Sequence, residues 1–162
     1  MIQVVIITVS DSAVAGTRAD RSGPALRQRV EAMGWSVRAQ ELVADERAQI
    51  AAILKRWSDS AQVILTTGGT GVALRDVTPE ATRDVIEREV PGLGELMRAE
   101  GRKATPFAVL SRGVVGLRGQ SLIVNLPGSP KGAVESLDSI AKLIPHVVDL
   151  VEGRTNHANM SN

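Results

Sequence analysis

The chain of 162 residues contains no cysteine and no tyrosine, and Trp35, Trp57 and Phe107 are its only aromatic residues. The first absence excludes disulfides, thiolate metal sites and thiol nucleophiles together. Scarce aromatics leave little on which successive nucleic-acid bases could stack. Charge is nearly balanced, since 19 Lys and Arg against 18 Asp and Glu leave a formal net charge of +1. General nucleic-acid binding rests on a much stronger basic field. No apolar run approaches the roughly 20 residues of a membrane span. Met1-Ile2-Gln3-Val4 enters a strand-like run with no basic segment ahead of it. No export signal is read there, and a cytoplasmic protein without nucleic-acid or membrane partners is expected. His146 and His157 have no partner at ligand spacing, so nothing points to a histidine metal centre.

What is present reads as alternating strands and helices. Strands are expected at Ile2–Val9, Trp35–Val43 and Val63–Thr67, then at Ala108–Gly116 and Ser121–Leu126 as a hairpin around Arg118-Gly119-Gln120. Ser10 to Arg21 reads as a polar loop. Helices are expected from Ser22 as N-cap to Met33, and from Asp45 as N-cap through Trp57. Further ones run from Thr78-Pro79 to about Glu89, from Leu93 to Arg102, and onward from Ser129-Pro130 with a break near Pro145. The apolar positions Val85, Ile86, Val90, Leu93, Leu96 and Met97 read as core or subunit contact rather than ligand site. This pattern predicts an α/β fold: a mostly parallel sheet with helices on both faces, in three layers, and one antiparallel hairpin strand. One domain is expected over 1–153, followed by a polar, fraying tail over 154–162.

In open α/β sheets, ligands bind beyond the C-terminal ends of the strands. Three unusually polar loops fall there: Thr8-Val9-Ser10-Asp11-Ser12, Thr66-Thr67-Gly68-Gly69-Thr70-Gly71, and Asn125-Leu126-Pro127-Gly128-Ser129-Pro130-Lys131-Gly132. Glycines let backbone N–H groups approach an anion, and the threonines add hydroxyl donors. Ser129 before Pro130 either simply caps a helix or leaves its N-terminus, with Lys131 beside it, facing a phosphate. Neither G-x-x-x-x-G-K-[ST] nor G-x-G-x-x-G after the first strand is present, which argues against a P-loop NTPase or an ordinary dinucleotide enzyme.

The acids each carry two readings. Asp76 either supports the helix start at Thr78 or, beside the Gly68–Gly71 loop, holds Mg²⁺, which takes few carboxylates plus substrate phosphates. Asp45 reads first as an N-cap and second as a catalytic acid; Asp11 reads as a loop residue. Arg18, Arg21, Arg75 and Arg112 lie in or near the loops and are candidate phosphate clamps or solvated surface residues.

These segments, with Gly16–Asp20, Ser22-Gly23, Asp45-Glu46, Arg75-Asp76-Val77-Thr78-Pro79-Glu80 and Ser111-Arg112, closely resemble the MogA/MoaB family of molybdenum-cofactor biosynthesis, which includes the G domains of gephyrin-like proteins. They occur in the family's order over residues 1 to about 153. The resemblance implies a molybdopterin-binding domain that adenylylates molybdopterin with Mg-ATP and releases pyrophosphate. It implies catalytic and Mg²⁺-handling roles for Asp45 and Asp76. It further implies a phosphate- and ligand-binding set of Ser10, Asp11, Thr67, Gly68, Gly69, Thr70, Gly71, Arg75, Gly128, Ser129 and Lys131. Molybdopterin and ATP are the implied small-molecule partners, trimers or hexamers the implied assembly, and other cofactor-biosynthesis proteins the implied associates. The stretch Thr105-Pro106-Phe107-Ala108 and the loop at Arg118-Gly119 look more like the MoaB side of the family. The alternative implied there is a molybdopterin-binding protein of the same fold without efficient catalysis.

Overall fold

Val4, Val5, Ile6 and Ile7 are all fully buried although successive strand residues face opposite ways, so their strand is covered on both sides. In the computed structural model, which describes residues 1–154, this strand is β1 (Gln3–Val9). Residues 155–162, nearly all of the expected tail, lie outside the described residues. A single turn, α1 (Asp11–Val14), interrupts the segment read as loop, because the Ser10 side chain accepts the Ala13 N–H and caps it. It is followed by α2 (Ser22–Ala32) and β2 (Ser36–Val43). The sequence places the α2 cap on Ser22; in the structure the Asp20 carboxylate accepts the Gly23 N–H at 3.0 Å instead.

Next come α3 (Arg47–Ser58), β3 (Val63–Thr67) and α4 (Thr78–Arg83). The N-cap reading of Asp45 is corrected: α3 begins after Glu46 with no side-chain cap. The helix expected to reach Glu89 also ends early, at Arg83, and β4 (Arg88–Glu89) follows it. β-Branched Val85, Ile86 and Val90 favour extended backbone. The Glu87 and Val90 N–H groups donate to Leu117 and Val115 carbonyls, and Ile86 lies where a Cβ on Gly116 would stand.

After α5 (Pro91–Gly101), a 3-10 helix at Pro106–Leu110 replaces the first half of the expected Ala108–Gly116 strand. Pro106 in the first turn and the Thr105 hydroxyl accepting the Phe107 N–H start it, and no residue of it is buried. The strand itself is β5 (Val115–Arg118), joined by the expected hairpin to β6 (Ser121–Leu126). The last two helices are α6 (Pro130–Ile140) and α7 (Ile144–Val151), and Pro145 sits in the first turn of α7, where a missing N–H costs nothing.

The six strands are ordered β2-β1-β3-β6-β5-β4. Pairings among β2, β1, β3 and β6 are parallel, and those of β6 with β5 and β5 with β4 are antiparallel. One face buries Val4, Ile6, Leu65 and Val124 against Leu26, Met97, Leu137 and Val148 from α2, α5, α6 and α7. The other packs Val5, Ile7, Ile64 and Ile123 against Ile50, Leu54 and Ala81 from α3 and α4. The three-layer expectation holds, with β4 as an added edge.

Asn125, 2% exposed, ties this sheet together just below its functional edge. Its Nδ2 donates to Thr66 Oγ1 (3.0 Å) and Thr82 Oγ1 (2.9 Å), while Oδ1 accepts the Val114 N–H (3.0 Å). A buried amide is tolerated here because its hydrogen bonds are made.

Candidate active site

The register pairs Thr8 with Thr67, Thr67 with Leu126, and Val9 with Val43. The chain therefore leaves β1, β2, β3 and β6 at one edge, and the three polar loops do open together. β1 lies between β2 and β3, so this edge includes the point where the strand order reverses, the usual ligand crevice of such sheets.

Gly68 is the junction. Its N–H donates to Leu126 O at 3.1 Å and its φ is +101°. A Cβ there would stand 2.4 Å from Val9 O, and one on Gly128 would stand 3.3 Å from Gly68 Cα. All three loops thus touch through backbone, an approach open only to glycine. At Gly69 (φ +68°) a Cβ would lie 2.3 Å from Thr78 Oγ1 and 3.2 Å from Asp45 Oδ1. Thr78 Oγ1 donates to Gly68 O and the Thr78 N–H to Gly69 O, which fixes the loop onto α4. Asp76 Oδ2 stands 2.8 Å from the Cβ position of Gly71 and accepts the Ala73 N–H at 3.1 Å. Among the described residues, the N–H groups of Gly69, Thr70 and Gly71 donate to no protein acceptor.

Asp11 and Asp45 embrace reciprocally. The Asp11 N–H donates to Asp45 Oδ2 (2.9 Å) and the Asp45 N–H to Asp11 Oδ1 (3.0 Å). Asp45 is therefore held by a residue 34 positions away rather than by its own helix. Arg75 Nε donates to Asp11 Oδ2 at 2.6 Å, and its Nη2 reaches Asp11 Oδ1, Asp45 O and Glu46 Oε1. The hydrogen bond from Arg75, with that of the Asp45 N–H, holds the Asp11 carboxyl below its ordinary value. Asp45 moves the other way. Burial pushes its carboxyl up, and the charges of Asp11 and Asp76 add to this, outweighing the Asp11 N–H and the more distant Arg75.

That environment predicts a test. An Asp45 carboxyl raised in the native state binds protons more readily there than in the unfolded chain. Its contribution to stability is present below the unfolded value of 3.8 and is lost as pH rises through the native value. Asp45→Asn is therefore expected to melt no lower than wild type at pH 7, since the amide keeps an acceptor for the Asp11 N–H. Thermal melts of both proteins check this. A fall of several degrees would mean that the charge at Asp45 holds the fold.

Two cavities flank the Gly68–Gly71 loop. The first, about 440 Å³, is lined by Gly69, Thr70, Gly71 and Asp76 with Met97, Phe107 and Leu110 on its apolar side. The second, about 460 Å³, is lined by Thr8, Ser10, Thr67 and Gly68 with Arg18, Asp20 and Arg21. Gly128 and Ser129 belong to both walls. The Ser129 hydroxyl accepts the Gly132 N–H, so it caps α6 and faces the cavities together.

Of the residues singled out in the sequence, Asp11, Asp45, Arg75 and Lys131 line neither cavity. Asp45 stands behind Gly69, and Asp11 with Arg75 braces it. The Lys131 side chain is 85% exposed and 3.9 Å from Glu135. Arg75 and Arg112, candidate phosphate clamps or solvated surface residues in the sequence, are engaged with protein acids and carbonyls. Sequence reasoning did not single out Arg98, and it gave no site role to Thr78 or Asp20, although both fall in segments that carry the family resemblance. Arg98 lines the first cavity and donates to Gly113 O.

Fold and edge together define a ligand-binding domain of the open, mostly parallel α/β class, with glycine-rich loops and two carboxylates at the strand ends. The family model described as "Probable molybdopterin binding domain" matches residues 5–146, and the chain belongs to that family. It is 42% identical over 165 residues to a molybdopterin adenylyltransferase of Helicobacter pylori (strain J99), covering 99% of this chain and 94% of that protein. The Escherichia coli K12 protein of the same name is 38% identical over 174 residues, covering 94% and 86%. Among solved structures, the molybdopterin biosynthesis enzyme MoaB from Thermus thermophilus superposes with a TM-score of 0.89 at 52% identity, covering 94% of this chain and 98% of that one.

Proposed function

We propose that the protein is a molybdopterin adenylyltransferase of molybdenum-cofactor biosynthesis. The terminal phosphate of molybdopterin attacks the α-phosphorus of ATP; a P–O bond forms there, the bond to the β-phosphate oxygen breaks, and pyrophosphate leaves. The attacking phosphate oxygen is already anionic at neutral pH, so no protein nucleophile or base is needed. The names of the full-length relatives support this reading. The observation that carries it is the pair of cavities sharing Gly128 and Ser129 across a glycine loop with unpaired N–H groups. Two substrates can lie one in each cavity and bring their phosphates together at the shared wall.

In this reading the Gly69–Gly71 N–H groups and the α6 N-terminus at Ser129 hold phosphate oxygens where charge develops. Thr70 and Ser10 donate hydroxyls, Thr67 Oγ1 donates to Pro127 O and so ties the second loop to the third, and Arg18 and Arg21 add charge in the second cavity. Asp11 and Arg75 act through Asp45, which they orient. Lys131 contributes long-range attraction for anionic substrates from its exposed position.

The donor chemistry fits Mg²⁺. Asp45 and Asp76 are hard oxygen donors that approach the same loop at Gly69 and Gly71. Among the described residues, no group of three or more His, Cys, Asp or Glu forms a closed cage. An incomplete carboxylate set is what a cation sharing its ligands between protein, water and substrate phosphate takes. Bound there with ATP, it would offset phosphate charge.

The same proposal covers the remaining expectations: a trimer or hexamer, action in the cytoplasm, and handover to other cofactor-biosynthesis proteins. Exposed apolar side chains at Val72, Leu74, Phe107 and Val109 offer a surface for self-association. No described helix is long and apolar enough to cross a membrane. Mass spectrometry of the product after incubation with molybdopterin and Mg-ATP tests the reaction. Molybdopterin carrying one AMP is expected. Molybdopterin recovered bound but unmodified would make the protein a carrier of the same fold.

A further inference from the structure

Arg112 lies just before β5, with its neighbours Ser111 and Gly113 in the wall of the first cavity. Its own side chain turns toward the glycine loop. The Arg112 N–H donates to Thr70 O (2.8 Å), Nε to Gly71 O (2.8 Å) and Nη2 to Asp76 O (2.7 Å). The two guanidinium bonds therefore fall on opposite ends of segment 71–76. Nη1 donates to Glu80 Oε1 at 2.6 Å, in the first turn of α4. Glu80 Oε2 is buried with no hydrogen-bond partner among the described residues, so Arg112 is the cation on which this carboxylate relies. Burial acts to raise the Glu80 carboxyl, and the Arg112 hydrogen bond, with the Glu80 backbone N–H and the charges of Arg112 and Arg47, together lowers it below its ordinary value.

Little else holds the segment. Val72 is 69% exposed and Leu74 99% exposed, so apolar packing does not fix it. The other ties are Asp76 Oδ2 to the Ala73 N–H and the Asp76 N–H to Ala73 O, both within the segment, and Arg75 to Asp11, Asp45 O and Glu46. We propose that Arg112, oriented by Glu80, is a further positioning residue of the site, holding segment 70–76 in the conformation that puts Asp76 into the first cavity. Its kinetic consequence rests on the adenylyl-transfer reading; its geometric consequence does not. A planar guanidinium serves three acceptors at fixed angles, whereas an ammonium is a point charge with no such fork.

The experiment combines Arg112→Lys and Glu80→Gln with two readouts. In the free protein, amide hydrogen exchange at 72–76 is expected to speed by about tenfold or more in Arg112→Lys, with β1 and β3 amides unchanged. In turnover, Arg112→Lys is expected to lower kcat by about 100-fold while molybdopterin Kd changes less than about threefold, because small misplacements of reacting groups have effects of that size. Glu80→Gln keeps an acceptor for Nη1 and is expected to stay within about fivefold of wild-type kcat. Unchanged exchange at 72–76, or faster exchange there together with β1 and β3, would overturn the positioning role. So would molybdopterin Kd weakening as much as kcat falls, which would place Arg112 on the substrate. Should wild type release no pyrophosphate, the adenylyl-transfer reading fails, and the exchange data still decide the role of Arg112.

Discussion

Asp76→Asn is expected to lower molybdopterin-dependent pyrophosphate release by about 100- to 1,000-fold, the usual effect of removing one preorganised electrostatic group at a reacting centre. Molybdopterin affinity is expected to stay within about threefold, since a group acting in the transition state is not spent on ground-state binding. The substitution is nearly isosteric. An asparagine oxygen can still accept the Ala73 N–H that Asp76 Oδ2 accepts, so the loop keeps its local tie. What disappears is a negative charge in the wall of the first cavity, beside Gly71. A second consequence is independent of turnover. The Asp76 charge helps to raise the Asp45 carboxyl, so Asp45 is expected to titrate lower in the variant, as carboxyl NMR would detect. Equal losses of turnover and molybdopterin affinity would make Asp76 a binding or structural residue.

Gly68→Ala is expected to destabilise the fold by about 2–4 kcal/mol, within the range of backbone strain combined with steric displacement. An alanine would have to adopt a φ of +101° with its Cβ 2.4 Å from Val9 O, and a backbone carbonyl cannot swing aside as a side chain can. Relief requires parting β1 from β3 at the edge where both cavities meet. Gly16 provides the control: its φ is +76°, and a Cβ there meets nothing within 4 Å. Gly16→Ala should therefore cost about 1–2 kcal/mol, the conformational part alone. Urea titrations of both variants give the difference. Equal midpoints for the two would show that the three-loop contact at Gly68 carries no steric constraint.

Much of this architecture is legible in the chain because it is written locally. Val63-Ile64-Leu65 running into Thr66–Gly71 has the composition of a buried parallel strand and its loop, and that is how it folds. Ser129-Pro130 names its own helix start, and the Ser129 cap is found as expected. The errors arise where a distant partner decides. Val85-Ile86 continues an apolar stripe that suits a helix, but Gly116 and Leu117, about thirty residues on, draw the chain into β4. Ala108-Val109-Leu110 is apolar enough for a strand, yet it has no strand to pair with and remains a largely exposed 3-10 turn.

The site follows the same rule. Residue types picked out the three loops that open together at one edge of the sheet, but not what each side chain grips. Asp45 at a helix start looks like a cap until Asp11 is brought beside it. Arg75 and Arg112 look alike in sequence as candidate phosphate clamps. In the fold, one braces Asp11 and Glu46 and the other spans the loop that carries Asp76. Long side chains reach partners far along the chain, and no local pattern encodes such a pairing.

The most direct measurement is pyrophosphate release from Mg-ATP by wild type and Asp76→Asn, each with and without molybdopterin. Release that requires molybdopterin, and that the variant loses while still binding molybdopterin, is the predicted result. Wild-type protein that binds molybdopterin and releases no pyrophosphate would contradict the assignment and leave a binding protein built on the same fold.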